Sequence, residues 1–233
     1  VAAIPEGLPA IVTITLALSV NRILRRGAVI RKLHAVETLG CAGVICTDKT
    51  GTITQNKMTV QRIWVPGRTL NVSGSGYRAQ GAVEENGRLV QAARDAALGR
   101  LCEAASLCTT AHITRAKDVY DVMGDPTEVA VLVAAAKAGV TKEALLQQYT
   151  VIGENPFDAA RKRMSVTVSG PGGVRLLCKG APDMLLARCT HIETPAGPRL
   201  LAPRDRADIN AACARMAGEA LRVLGFAESS TPA

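Results

Sequence analysis

The first twenty residues form an almost uninterrupted apolar run in which Glu6 is the one charged side chain. Twenty helical residues span about 30 Å, the thickness of the hydrocarbon core of a bilayer. Pro5 and Pro9 disfavour a regular helix in the first third of this run, since proline lacks a backbone donor and clashes with the preceding turn. The pattern therefore predicts a partial transmembrane helix that is regular over residues 10–24.

A short βαβ-like passage is predicted next. Residues 28–30 form a brief apolar strand, and residues 33–39 form a short helix or turn. Residues 43–46 are a continuous apolar run, which is typical of a buried parallel strand. An acidic residue, Asp48, follows that run and precedes a glycine-containing loop, which is where open α/β sheets place their chemistry.

From Met58 onward the pattern indicates a mixed α+β region. Residues 66–87 are rich in Gly, Ser and Asn and predict a hairpin or loop, and residues 169–173 predict a turn between two strands. Apolar residues at helical spacing indicate helices, and short apolar runs indicate strands. The predicted strands are residues 59–65, 151–152, 164–168, 174–178 and 222–227, and the predicted helices are residues 91–108, 126–139, 141–148, 182–188 and 203–221.

Composition narrows the class of protein. Of the 233 residues, 48% are hydrophobic and 21% are charged, which excludes wholesale disorder. Aromatic residues make up only 3%, so a stacking surface for single-stranded nucleic acid is not expected. The net charge of +8 is uneven: residues 21–32 contain five basic side chains and no acidic one, directly after the apolar run. That arrangement is typical of the cytoplasmic flank of a membrane helix. The seven cysteines lack metal-ligand spacing and are expected to be reduced thiols.

The sequence DKTGT at residues 48–52 carries the sharpest chemical signal. The carboxylate of Asp48 can attack a phosphorus atom and form an aspartyl phosphate. Lys49, backbone donors of the turn through Gly51, and Mg²⁺ can neutralise the phosphoryl oxygens. Thr50 occupies the position at which phosphatases of the haloacid dehalogenase superfamily carry a second Asp as general acid and base. An aspartyl phosphate at this site should therefore survive longer.

Six motifs, in the order of the family, give the chain a resemblance to the P-type ATPases. DKTGT resembles their phosphorylation motif, and PEGLP at residues 5–9 resembles a membrane-helix motif of their calcium-pump-like branch. The remaining segments resemble successive motifs of the nucleotide-binding domain of that family. They are MGDPTE at 123–128, Phe157 with RKRM at 161–164, KGAPD at 179–183, and LRVL at 221–224.

The resemblance implies a fold of mixed α/β and α+β class in three parts. Residues 1–26 would be the fourth transmembrane helix of the family and a basic stalk. Residues 27–60 would begin a haloacid-dehalogenase-like Rossmann phosphorylation domain. Residues 61–233 would be an inserted α+β nucleotide-binding domain with an antiparallel sheet.

The resemblance also implies roles for individual residues. Asp48, Lys49 and Thr50 would be catalytic, and Asp48 and Thr50 would bind Mg²⁺. In the nucleotide-binding domain, Phe157 offers a face for adenine, and Glu128 would contact the adenine amino group. Lys179 can lie along the base and direct its charge towards phosphate. The remaining nucleotide-binding residues would be Lys162, Gly180 and Arg222.

A second site is predicted within the membrane at Glu6. A carboxylate at membrane depth is costly, so such residues are usually functional. Pro5 and Pro9 free the backbone carbonyls of Val1, Ala2 and Ile4. Carboxylate and carbonyl oxygens suit a hard cation, and the PEGLP motif favours Ca²⁺.

These expectations describe a fragment of an ATP-driven cation pump. Its partners would be ATP, the transported cation, the lipid bilayer and the remainder of the pump chain, and nucleic acid would not be one. The parent would be a multi-pass membrane protein, with residues from about 27 onward in the cytoplasm. The sequence lacks the family's GDGxND, TGD and TGE motifs, so the fragment alone should be inactive. Two alternatives remain: a nucleotide-binding module of a truncated, non-transporting relative, and a soluble phosphohydrolase of the haloacid dehalogenase type.

Overall fold

The computed structural model describes residues 7–116 and 119–230, apart from the side chains of residues 115, 116, 119 and 120. Within it the chain divides into two compact units, Val1–Gln55 and Asn56–Ala233. Each unit has its own elements and is described by itself below.

Over its described residues 7–55, the first unit contains two α-helices, α1 (Leu8–Leu24) and α2 (His34–Gly40). Helix α1 begins with a proline in its first turn, where the missing N–H would have no helical partner. It has 17 residues, a length of about 25 Å. Among the described residues, no helix is both long enough and apolar enough to cross a bilayer. The transmembrane helix expected over residues 1–26 is therefore not found in the described part of the chain.

The two strands predicted in the first unit are absent. Residues 28–30 and 43–46 adopt no strand conformation, and Val44 and Ile45 are 81% and 84% exposed. A buried parallel strand needs hydrogen-bonded neighbours on both sides and helices on both faces. No strand of the described residues pairs with these segments. The predicted start of a Rossmann-like sheet is therefore not observed in this structure.

The second unit opens with a four-stranded antiparallel sheet in the order β1-β2-β3-β4. Alternate residues of its strands point into a core, which places Ile63 opposite Leu70 and buries both. Two of these strands fall in residues 66–87, where a hairpin or loop was predicted. The strands are β1 (Arg62–Val65), β2 (Arg68–Val72), β3 (Val83–Glu85) and β4 (Arg88–Leu89).

A larger antiparallel sheet has the order β12-β9-β8-β7, so the prediction of an antiparallel sheet is confirmed. One face buries Met164, Val166, Val168 and Leu177 in a core cluster with Leu107. The strands are β7 (Thr150–Asp158), β8 (Arg163–Gly170), β9 (Gly173–Gly180) and β12 (Gly225–Ser229). Strand β12 begins three residues later than predicted.

Helices pack beside and between the sheets. Two of them begin at aspartate caps: Asp95 accepts a hydrogen bond from the N–H of Leu98, and Asp125 accepts one from the N–H of Thr127. The helices are α3 (Ala96–Leu107), α4 (Pro126–Lys137), α5 (Lys142–Leu146), α6 (Pro182–Leu186) and α7 (Pro203–Gly218).

Two short hairpins complete the described fold, and neither was predicted. The first joins β5 (His112–Ala116) to β6 (Val119–Met123). The second joins β10 (His191–Ile192) to β11 (Arg199–Leu200).

Candidate functional site

All four strands of the larger sheet begin or end at the same end of the sheet. Cross-strand pairing aligns Asp158, Arg163, Gly180 and Gly225 in a single row, where β7 and β9 end and β8 and β12 begin. Candidate residues from three separate sequence motifs lie at or beside this row. The structure therefore places Phe157, Lys162, Lys179, Gly180 and Arg222 at the same end of one sheet.

Lys179 lies one position before the end of β9, opposite Met164 on β8 and Phe226 on β12. Residues two apart on a strand share a face, so Lys179 shares the core face with the fully buried Leu177. Its ammonium is directed at Glu128, and the Nζ donates to Oε1 of that carboxylate. The two side chains are only 12% and 13% exposed, so the ion pair is largely excluded from water.

Glu128 lies in the first turn of α4, and its second oxygen accepts hydrogen bonds from a loop between α3 and β5. That loop, residues 109–111, supplies four donors to Oε2. The hydroxyl of Thr109 lies at 2.8 Å and the hydroxyl of Thr110 at 2.9 Å. The backbone N–H groups of Thr110 and Ala111 both lie at 3.0 Å. Both carboxylate oxygens are therefore engaged.

The charge state of Glu128 follows from these contacts. Burial raises its pKa, but the ammonium of Lys179 and the hydroxyls of Thr109 and Thr110 outweigh burial and lower the pKa from 4.5 to about 2. The side chain is consequently an ionised hydrogen-bond acceptor at neutral pH. Beneath Lys179, burial raises the pKa of the Cys108 thiol to about 12, which leaves it protonated and unreactive.

Phe157 is 60% exposed near the end of β7, where the register with β8 shifts. A core position for this ring is thereby ruled out. An exposed aromatic ring at this end of the sheet provides a flat face on which a planar ligand can stack.

Lys162 occupies the turn between β7 and β8 with a positive φ of 51°. Its N–H donates to the carbonyl of Asp158 at 2.7 Å, and its own carbonyl accepts from the N–H of Ala181 at 3.0 Å. A Cβ at Gly180 would lie 2.4 Å from the carbonyl oxygen of Lys162. Glycine is therefore required at position 180 for this turn to lie against the end of β9.

Arg222 is exposed and precedes β12, since that strand begins only at Gly225. The prediction that Arg222 belongs to the final strand is therefore wrong. The guanidinium lies in the connection that leads into the aligned row of strand ends.

The residues of the DKTGT motif belong to the first unit. Asp48 is exposed, and its Oδ1 accepts a hydrogen bond from the N–H of Lys49 at 2.7 Å. Gly51 has a φ of 79°, a backbone conformation that is unfavourable for residues with a side chain. A hydrogen bond of 3.1 Å from the N–H of Thr54 to the carbonyl of Lys49 closes the turn. The motif thus forms an open turn whose carboxylate is accessible.

The predicted cation ligands Val1, Ala2, Ile4 and Glu6 lie outside the described residues. Within the described part of the chain, no three His, Cys, Asp or Glu side chains come together as a metal-binding group. Asp48 and Thr50 nevertheless provide oxygen donors of the kind that Mg²⁺ prefers. Protein sites for Mg²⁺ commonly use only one or two carboxylates and complete the shell with water and substrate phosphates.

The loop that holds Glu128, and the lysine behind that loop, could not be recognised as part of the site from the sequence. The Nζ of Lys142 donates to the carbonyls of Thr109 and Ala111 at 2.8 and 2.9 Å. Two successive threonines after a predicted helix offered a weak signal for hydroxyl donors. Nothing in the sequence indicated which carbonyls Lys142 would reach, since that contact depends on how α5 packs against α3.

Comparison with known proteins identifies the family. Residues 97–233 match the family described as P-type ATPase, cytoplasmic domain N. The chain therefore belongs to the P-type ATPases, and the resemblance found in its motifs is confirmed. Pumps of this family use ATP and Mg²⁺, in agreement with the predicted ligands.

Individual relatives agree with this assignment. The chain is 43% identical to the calcium-transporting ATPase of Bacillus subtilis (strain 168), over 97% of this chain and 26% of that protein. It is 40% identical to the cation-transporting ATPase pma1 of Synechocystis sp., over 99% of this chain and 26% of that protein. It is 39% identical to the calcium-transporting ATPase type 2C member 1 of Homo sapiens, over 97% of this chain and 25% of that protein. The chain thus spans about a quarter of the length of the curated relatives it matches.

Proposed function

We propose that this chain is the part of an ATP-driven cation pump that binds the nucleotide and carries the phosphorylated aspartate. The observation that carries the proposal is the ion pair between Glu128 and Lys179 at the end of the sheet that also presents the exposed ring of Phe157. Three residues from separate motifs supply an acceptor, a cation and a stacking face at one end of a sheet. That combination suits a purine nucleotide.

The base would stack on Phe157 and present its amino group to Glu128. Because Glu128 stays ionised, it accepts hydrogen bonds and repels another acceptor. Adenine carries an amino group at the position where guanine carries a carbonyl, so this site favours adenine. The cationic side chains of Lys162 and Arg222, at the same end of the sheet, would attract the phosphates.

In the phosphorylation step we propose, a carboxylate oxygen of Asp48 attacks the γ-phosphorus of ATP. The bond between that phosphorus and the β,γ-bridging oxygen breaks, and ADP leaves with the electron pair. Lys49 and the N–H groups of the turn would orient and partly neutralise the phosphoryl oxygens. Mg²⁺, held by Asp48 and Thr50, would add positive charge at the same oxygens. Thr50 offers no carboxylate for general-base hydrolysis of the product.

The transport role is proposed from the calcium- and cation-transporting relatives and from the PEGLP motif. Glu6, with the carbonyls of Val1, Ala2 and Ile4, would contribute ligands for the cation, for which Ca²⁺ is the favoured candidate. The parent pump would span the membrane several times, and residues from about 27 onward would lie in the cytoplasm. The remainder of the pump chain would supply the other strands of the phosphorylation domain beside residues 43–46.

The direct test is radiolabelling of the pump that contains this chain with γ-labelled ATP. We expect an acid-stable, hydroxylamine-sensitive phosphoprotein that is lost in Asp48→Asn while ATP binding remains. Asp208→Asn, which neutralises an exposed carboxylate on α7, is the matched control and should retain the label. Labelling that persists in Asp48→Asn would contradict the assignment of the nucleophile.

Glu6→Gln tests the transport part of the proposal separately. This variant should bind ATP as the parent does, but its phosphorylation should lose its dependence on the transported cation. Unchanged cation dependence would contradict the role of Glu6.

A further inference from the structure

Lys142 is a half-buried lysine at the first position of α5, with its ammonium turned away from solvent towards two backbone carbonyls. Those carbonyls belong to Thr109 and Ala111, at the two ends of the 109–111 loop. Burial lowers the pKa of Lys142, although attraction from Glu128 opposes this effect. A charged side chain placed this way fixes the conformation of a loop that has no regular secondary structure.

The carbonyl groups and the N–H groups of this loop bind different side chains. Its two end carbonyls accept from Lys142, while the N–H groups of Thr110 and Ala111 donate to Oε2 of Glu128. The Thr109 carbonyl and the Thr110 N–H belong to one peptide plane, so the ammonium holds that N–H in its direction from behind. Its second bond, to the Ala111 carbonyl, fixes the far end of the loop beside the Ala111 N–H. Without that clamp, the loop could rotate its peptides to satisfy its carbonyls with water, and Glu128 would lose aligned donors.

We propose that Lys142 is a positioning residue for recognition of the purine base, which it serves by clamping the 109–111 loop so that the loop holds Glu128 in place. This inference rests on the proposed function, since it assigns Glu128 to the base. Lys142 itself need not touch the nucleotide. Its effect should appear in the choice between bases, because that choice depends on the orientation of the Glu128 carboxylate.

Lys137 provides a matched control from the same chain. Its Nζ also donates to two backbone carbonyls, those of Ser73 and Gly74 at 2.7 and 3.1 Å, and burial also lowers its pKa. That clamp holds a loop of the first sheet and has no contact with Glu128. Lys137→Met and Lys142→Met therefore remove equivalent hydrogen bonds. Only the bonds of Lys142 support the loop that holds Glu128.

The experiment is calorimetric titration of the 233-residue chain with Mg²⁺-free ATP and, separately, with ITP, whose base has a carbonyl in place of the amino group. The unmodified chain should prefer ATP. In Lys142→Met the preference should fall about tenfold, through weaker ATP binding, with ITP affinity changed by less than about threefold. Lys142→Arg, which keeps a cationic donor, should recover most of the preference, and Lys137→Met should retain all of it.

Thr110→Val gives a second test that does not depend on the fold of the Lys142 variant. It removes one hydroxyl donor to Glu128 at an exposed position and should lower the preference for ATP in the same direction. An equal loss of ATP and ITP affinity in Lys142→Met, or an unchanged preference, would overturn the inference while leaving the proposed function intact. An unmodified chain that binds neither nucleotide would overturn both.

Discussion

Glu128 and Lys179 form the centre of the site, and each depends on the other. If the carboxylate is removed, the buried ammonium is left without a partner and without water, which is costly. Hydrogen bonds to charged groups contribute about 1.5–3 kcal/mol to the stability of a protein. The sequence placed both residues through their motifs, because each motif lies next to a well-defined helix or strand. It could not indicate the 109–111 loop or Lys142, whose contacts join residues 31 to 33 positions apart.

Glu128→Gln should lower the free energy of unfolding by about 1.5–3 kcal/mol, because it leaves Lys179 without a charged partner. Urea unfolding followed by circular dichroism measures this change. Glu219→Gln is the control: Glu219 is half exposed and lies 3.4 Å from Arg62, so its loss should cost less than about 1 kcal/mol. Equal losses in the two variants would contradict the buried character of the Glu128 pair.

The same carboxylate should make stability depend on pH. Its pKa is lowered from 4.5 to about 2 on folding, so its contribution is complete above pH 4.5 and is lost as the pH falls towards 2. The difference in unfolding free energy between the parent chain and Glu128→Gln should therefore shrink over that range. Asp205, whose pKa is also lowered to about 2 through Arg199, is present in both chains and cancels in the comparison. A difference that stays constant down to pH 2 would contradict the assignment.

At the scale of elements, the sequence correctly predicted the antiparallel sheet and the helices of the second unit, but the two strands that it predicted in the first unit are not formed. Residues 164–168 and 174–178 alternate and are bounded by turn residues, so local pattern sufficed. Residues 43–46 have an equally apolar pattern, yet a parallel strand exists only with its neighbours. The β5–β6 hairpin was not predicted, because its sequence has no clear alternation of apolar and polar residues.

Gly170 tests the packing of this sheet. A Cβ at that position would lie 2.2 Å from the ring of Tyr149, which is buried beneath Arg175 and donates to Glu103 at 3.1 Å. Gly170→Ala should therefore lower the free energy of unfolding by about 1–3 kcal/mol. Gly153→Ala on β7 is the control, since its Cβ would meet Thr167 at an ordinary 3.6 Å. Thermal unfolding that ranks the control as the less stable variant would contradict this packing.

At the scale of the whole molecule, the boundary between the two units falls between Gln55 and Asn56. Residues 49–57 are exposed and include two lysines, at positions 49 and 57. Limited digestion with trypsin should cut after one or both and leave a resistant fragment that begins at Thr50 or Met58, because exposed loops are the preferred sites of cleavage. Mass spectrometry of the fragments identifies the cut. Early cleavage within α3 or α4 would contradict the compactness of the second unit.

The central claim is that the second unit binds ATP through the stacking face, acceptor and cation gathered at one end of its larger sheet. Titration of the 233-residue chain with ATP, followed by amide chemical shifts, tests it most directly. We expect saturable binding that weakens at least about tenfold in Phe157→Ala and in Lys179→Ala. Lys57→Ala, which removes the same charge elsewhere, should bind as the parent does. A folded chain whose amide signals do not respond to ATP, or binding that survives both substitutions, would contradict the account.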